Sequence, residues 1–148
     1  MRQEFLLMAD GAESVNGKIY ILGGGAARHF VQTGWKAPIQ LRADIAAGIL
    51  VGWNETNNRH TLTLQVVDED SAEQMKVELE FETGRPPGAK PGQEFRHLIA
   101  VRGPFPIAKP GGYKVVMTLD GQEQDPPFRF WIDEVERQQG QGGRVRPT

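Results

Sequence analysis

The stretch Met75-Lys76-Val77-Glu78-Leu79-Glu80-Phe81-Glu82 decides the fold. Apolar and charged residues alternate strictly, so an extended chain puts Met75, Val77, Leu79 and Phe81 on one face and Lys76, Glu78, Glu80 and Glu82 on the other. A helix would spread the same residues around its whole circumference. The segment therefore predicts a strand with one face buried.

The same period of two recurs outward from it. Leu62, Leu64 and Val66 repeat the pattern upstream, and Tyr113, Val115, Met117 and Leu119, then Phe128, Phe130 and Ile132, repeat it downstream. Phe95, His97, Ile99 and Val101 form another run, and Phe5 and Leu7 with Ile19 and Ile21 supply a first pair. Ile39, Leu41, Ala43 and Ile45 open a longer strand that becomes nearly all apolar through Ile49-Leu50-Val51, which predicts burial on both faces or a bulge near Gly48. Asp10-Gly11, Asn16-Gly17, Arg85-Pro86-Pro87-Gly88, Pro110-Gly111-Gly112 and Asp120-Gly121 supply turns between the runs. About eight strands are expected. No apolar 3.6-residue stripe persists, so helices cannot cover a parallel sheet. The predicted fold is all-β, an antiparallel two-sheet β-sandwich of immunoglobulin-like or C2-like type.

A length of 148 residues suits one domain, expected over residues 1–136. Residues 137–148 hold a single aliphatic side chain among Gln, Gly and Arg, and are expected to be a flexible tail. The 17 Lys+Arg against 19 Asp+Glu leave a net charge of -2, which gives no basic surface for nucleic acid. Cysteine is absent, excluding disulfides, thiol nucleophiles and thiolate metal sites. The apolar run Phe5-Leu6-Leu7-Met8-Ala9 is shorter than a secretory signal or a membrane span requires. A cytoplasmic protein without a membrane partner is expected.

Ser14 and Ser71 are the two serines, and neither lies in a Gly-x-Ser-x-Gly elbow. His29, His60 and His97 show no metal-ligand spacing; His97 reads as a core histidine and His60 as a turn cap. Asp68-Glu69-Asp70 reads as a solvated turn rather than a calcium loop, because the other loops assigned to that end carry bases and no acid. Gly23-Gly24-Gly25 lacks the Gly-Lys-Ser/Thr of a phosphate loop and reads as a bend. Glu78, Glu80 and Glu82 read as a solvated edge, with Glu80 paired to Arg96. No catalytic residue, metal ligand or cofactor is assigned, and a non-enzyme is expected.

Two surfaces remain. If 113–119 and 128–132 form a hairpin about a turn at 120–127, Val116 lies opposite Trp131 with both pointing away from the core. Leu98 and Ala100 extend that patch if their strand is adjacent. Such a face suits a protein partner or self-association, or else cover by the chain's own segments. If every connection reverses the chain, the loops at 53–60, 84–92 and 120–126 share one end, where Trp53, Asn54, Glu55, Asn57, Arg85 and Asp120 would converge on a small ligand or carbohydrate. The competing reading, favoured for Trp53 itself, is a core position.

The order of motifs carries a resemblance. Met8-Ala9-Asp10 is followed by Gly17-Lys18-Ile19-Tyr20-Ile21-Leu22-Gly23-Gly24-Gly25, Trp53-Asn54-Glu55-Thr56, Gly84-Arg85-Pro86-Pro87-Gly88, Pro110-Gly111-Gly112-Tyr113, Asp120-Gly121 and Pro127-Phe128-Arg129-Phe130. This resembles a family of small bacterial proteins built on a domain of unknown function, over roughly residues 3 to 133. The resemblance implies a bacterial, cytoplasmic β-protein and brings no activity or site residue with it.

Overall fold

The alternating run at 75–82 is a strand at the margin of a sheet, with its acidic positions exposed, Phe81 buried, and Met75 and Leu79 packed against the core. It belongs to an all-β domain seen in a computed structural model that describes residues 1–136. The tail expected over 137–148 lies outside the described residues. The strands are β1 (Arg2–Val15), β2 (Lys18–Gly24), β3 (Arg28–Gln32), β4 (Ile39–Leu41), β5 (Asp44–Val51), β6 (Arg59–Asp68), β7 (Glu73–Glu82), β8 (Phe95–Val101), β9 (Phe105–Ile107), β10 (Gly111–Leu119), β11 (Gln122–Glu123) and β12 (Phe128–Val135). They exceed the expected eight because β4, β9 and β11 span only two or three residues each, too short to show a period. One 3-10 turn covers Trp53–Glu55, and no α-helix occurs among the described residues.

One sheet has the order β2-β1-β5-β8 and the other β3-β12-β10-β6-β7, with β11 on β10 and a separate β4-β9 ribbon. Leu62, Leu64 and Val66 from β6 meet Val115 and Met117 from β10, Phe130 and Ile132 from β12, and Ile45, Ala47 and Ile49 from β5 in one hydrophobic cluster. Both sheets therefore share a core. Within β1 the core-facing residues are Leu6 and Met8 rather than Phe5 and Leu7. Phe5 instead lies over Gly48 on the outer face of β5. Ala46 and Gly48 are buried on that outer face, as the all-apolar run at 45–51 predicted.

The premise that every connection reverses the chain fails at β3, which runs parallel to β12. Gly23 and Gly25, at φ 63° and 88°, turn the chain from β2 toward β3, so the triple glycine is a bend. The pairing of Glu80 with Arg96 is also corrected. β7 and β8 lie in different sheets, and Arg96 pairs with Glu4 at 2.8 Å while Glu80 faces Arg59 at 3.8 Å.

Candidate functional site

The loops at 53–60, 84–92 and 120–126 do meet. Beyond β5 the chain enters the 3-10 turn, where the Glu55 carboxylate accepts the Gly52 N–H at 3.1 Å and contacts the Met1 amine at 2.5 Å. The Thr56 hydroxyl closes the turn by donating to the Trp53 carbonyl at 2.7 Å. The Arg85 guanidinium stacks 3.7 Å from the Trp53 ring centroid. Its Nε donates to Thr56 Oγ1 at 2.6 Å and its Nη2 to the Trp53 carbonyl at 2.8 Å. Asn57, at φ 59°, anchors the loop by donating its N–H to the Thr83 carbonyl.

Asp120 joins from the turn after β10. Its Oδ1 accepts the Thr61 N–H at 2.9 Å, and its Oδ2 lies 2.7 Å from His60 Nδ1. His60 Nε2 lies 2.6 Å from the Glu55 carbonyl oxygen, and the ring packs on Phe81. Burial acts to lower the His60 pKa, but the Glu55 carbonyl and the Asp120 carboxylate outweigh it and raise the value above that of an ordinary histidine. The Thr61 N–H, followed by His60 against the opposing effect of burial, holds Asp120 below the usual carboxylate range. For Glu55, burial pushes the value up, and bonds from the Met1 amine and Gly52 N–H more than offset it, so the net direction is down.

Trp53, Glu55, Arg85 and Asp120 are thus linked through Thr56 and His60, which the sequence reading did not place in the site. Their polar atoms are directed at one another. Arg85 already spends Nε and Nη2 on its own loop, and both Asp120 oxygens are engaged. The arrangement fastens three loops together. Asn54 stays exposed beside Trp53, where Gly52, Pro91 and Gly92 line a shallow groove.

The expected outward patch is rearranged. Trp131 pairs with Gly112, not Val116, since Asp120 and Gly121 at φ 46° and 81° make a tight turn with its own short strand β11. The chain then rejoins β10 four residues out of the expected register. Val116 points away from the core yet is only 5% exposed. Leu98 lies on β8, in the other sheet, half-buried beneath the β1–β2 hairpin, where Ser14 Oγ donates to its carbonyl. Of the three residues Leu98, Val116 and Trp131, only Trp131 is exposed, at 44%. Directly opposite it on β3 is Arg28, whose guanidinium lies 5.6 Å from the Phe30 ring and 2.9 Å from the Asp133 carboxylate.

Among the described residues the large exposed apolar side chains fall into two groups. Val15, Tyr20, Ile21 and Leu22 lie on the β1–β2 hairpin, and Phe30, Trp131 and Val135 on β3 and β12. Among the described residues no three metal-ligating side chains gather, and no helix is long and apolar enough to cross a membrane. These features define an all-β domain whose curled sheets share one core, with apolar residues displayed at two sheet margins. Residues 4–128 match a family of unknown function, DUF6941, and the chain belongs to that family. No curated protein matches it.

Proposed function

We propose that this chain is a non-enzymatic protein-interaction module. The observation that carries the reading is that, among the described residues, the large exposed apolar side chains gather at two margins, while the β7 margin shows water Glu78, Glu80 and Glu82. Aromatic residues anchor protein contacts because they bury a large area at small entropic cost, and Trp131 and Phe30, on adjacent strands with Arg28 and Asp133 opposite them, have that composition. A cytoplasmic setting belongs to the same reading, and the absence of cysteine permits it.

A photo-crosslinking residue at Trp131, with one at Glu80 as control, tests the reading in the native host. Adducts specific to the Trp131 position support it. Equal labelling from both positions rejects it.

The finer architecture we read as an immunoglobulin-like sandwich. β1-β5-β8 and β12-β10-β6 follow the A-B-E and G-F-C orders of that fold, with β7 beside β6 in the place of C′. Near the start of β10 the Tyr113 hydroxyl donates to the Lys109 carbonyl, as a tyrosine corner does, two residues before buried Val115.

A second reading, small-ligand or carbohydrate binding, draws on the open groove beside Trp53. Glycan binding abolished by Trp53→Ala supports it, and binding that survives the substitution rejects it.

A further inference from the structure

A cleft of about 170 Å³ opens where the β6–β7 turn meets the start of β10, and Glu69, Gly112, Lys114, Arg129 and Trp131 line it. Gly112 and Lys114 stand two residues apart on β10, and their register partners Trp131 and Arg129 two apart on β12. All four therefore share one face, opposite to the core residues Tyr113, Val115 and Phe130. The turn supplies the acidic wall. Asp68 Oδ1 accepts the N–H groups of Asp70 and Ala72 at 2.9 and 2.8 Å, and the Ser71 N–H donates to the Asp68 carbonyl at 3.1 Å. The shape of the turn is thus fixed, and that Asp68 oxygen is spent within it. Glu69, the next residue, reaches over Gly112: a Cβ there would run into the Glu69 carboxylate and stand 3.3 Å from Trp131 Nε1. Glycine leaves room for a carboxylate beside the indole.

The other wall is basic. Lys114 and Arg129 are directly opposed across two strands, an arrangement of like charges that costs stability and that an anion between them relieves. Among the described residues no ion pair contains Lys114, Arg129 or Glu69. Residues 137–148 hold no Asp or Glu, so no further side-chain carboxylate of the chain can neutralise the two cations. Carboxylate and cations face one cleft without touching. The gap suits a molecule that carries both charges.

The geometry points to a binding site for a free aromatic α-amino acid, with its ammonium held by Glu69, its carboxylate by Lys114 and Arg129, and its ring laid on Trp131. The planar guanidinium matches a carboxylate, and the exposed indole offers a surface for stacking. The volume is close to the about 150 Å³ that holds one benzene, and below the about 300 Å³ at which pockets for larger ligands begin, which excludes enclosing a nucleotide or an oligosaccharide. The site is separate from the groove beside Trp53. It does not rest on the protein-interaction reading, with which it shares only Trp131.

Isothermal titration calorimetry of the full chain with L-phenylalanine, N-acetyl-L-phenylalanine and L-phenylalaninamide tests the proposal. L-phenylalanine is expected to bind, and removal of either charge to weaken binding at least about tenfold. Glu69→Gln is expected to weaken L-phenylalanine about tenfold and leave the N-acetyl compound unchanged, and Arg129→Gln to do the same with the amide as the unchanged compound. Gly112→Ala, which displaces the Glu69 carboxylate, is expected to act as Glu69→Gln does. Glu69 and Arg129 are exposed, so far-ultraviolet spectra should not change, and Lys114→Gln replaces Arg129→Gln if that variant does not fold. No heat from L-phenylalanine at millimolar concentration overturns the proposal, as does binding indifferent to a missing ligand charge or to the Glu69 and Arg129 substitutions. Loss of L-phenylalanine binding with Trp131 crosslinking intact removes this proposal alone. Loss of Trp131 crosslinking with L-phenylalanine binding intact removes only the earlier reading.

Discussion

His60 and Asp120 stand 60 residues apart in the chain and meet at 2.7 Å, Nδ1 to Oδ2. The other ring nitrogen lies 2.6 Å from the Glu55 carbonyl oxygen. Carboxylate and carbonyl both accept, so only the doubly protonated ring satisfies both. At 7% exposure the imidazolium replaces water with these two oxygens, and in doing so ties the start of β6 to the turns that follow β5 and β10.

A pH dependence follows. The His60 pKa is raised, burial opposing and the bonds to Glu55 and Asp120 prevailing, so its stabilisation is complete below the unfolded value of about 6.5 and is lost as pH rises through the higher folded value. Asp120 is lowered, chiefly by the Thr61 N–H, so its contribution is complete above about 3.9 and is lost as pH falls through the lower folded value. Together the pair contributes most between about pH 4 and about pH 6.5. Burial lowers His29 and His97, which therefore withdraw stability as pH falls through about 6.5, so the comparison must be with a variant. Thermal melts should show the wild type losing stability above neutrality and His60→Gln losing much less. Parallel alkaline slopes in the two proteins would rule out this role for the ring.

Gly48 supports a different prediction, about packing. It lies on the outer face of β5 between Phe5 of β1 and Leu98 of β8, and a Cβ there would run into the Phe5 ring. Gly48→Ala should cost about 1–3 kcal/mol by overpacking, measured by urea unfolding. In a Phe5→Ala background the same substitution should cost at least about 1 kcal/mol less, because the obstructing ring is gone. Simple additivity of the two losses would show that the ring does not impose the glycine.

The sequence revealed strand faces wherever one face met water and the other the core. Residues 75–82, 62–66 and 113–119 were legible because alternation is a local property, and 45–51 because an unbroken apolar run implies cover on both sides. Register was not legible. Trp131 opposite Gly112 depends on a two-residue turn with its own strand β11, and the slip from Val116 is invisible to a period of two. Leu98 was assigned to the Trp131 face because sheet membership is a long-range property, as is the parallel pairing of β3 with β12. The parity of chain reversals put the loops of Trp53, Glu55, Arg85 and Asp120 at one end, and those loops meet although the premise fails at β3. It missed His60, whose role requires Asp120 to arrive from 60 residues away.

Tyr113 links the architecture to a measurable energy. Its ring is 5% exposed and stacked on Phe130 with centroids 5.5 Å apart, and its hydroxyl donates to the carbonyl of Lys109 four residues earlier. Burial raises its pKa, and the neutral phenol is the form that donates this bond. Tyr113→Phe keeps the stack and removes only the donor, leaving the Lys109 carbonyl unpaired. The expected cost is about 1–2 kcal/mol in urea unfolding with the denaturant slope unchanged. Because the bond closes the loop entering β10, faster amide exchange at residues 108–112 should accompany the loss while the β6–β10 ladder stays protected. If Tyr113→Phe is neutral and exchange in that loop does not change, the corner does not anchor β10. The immunoglobulin-like reading then rests on strand order alone.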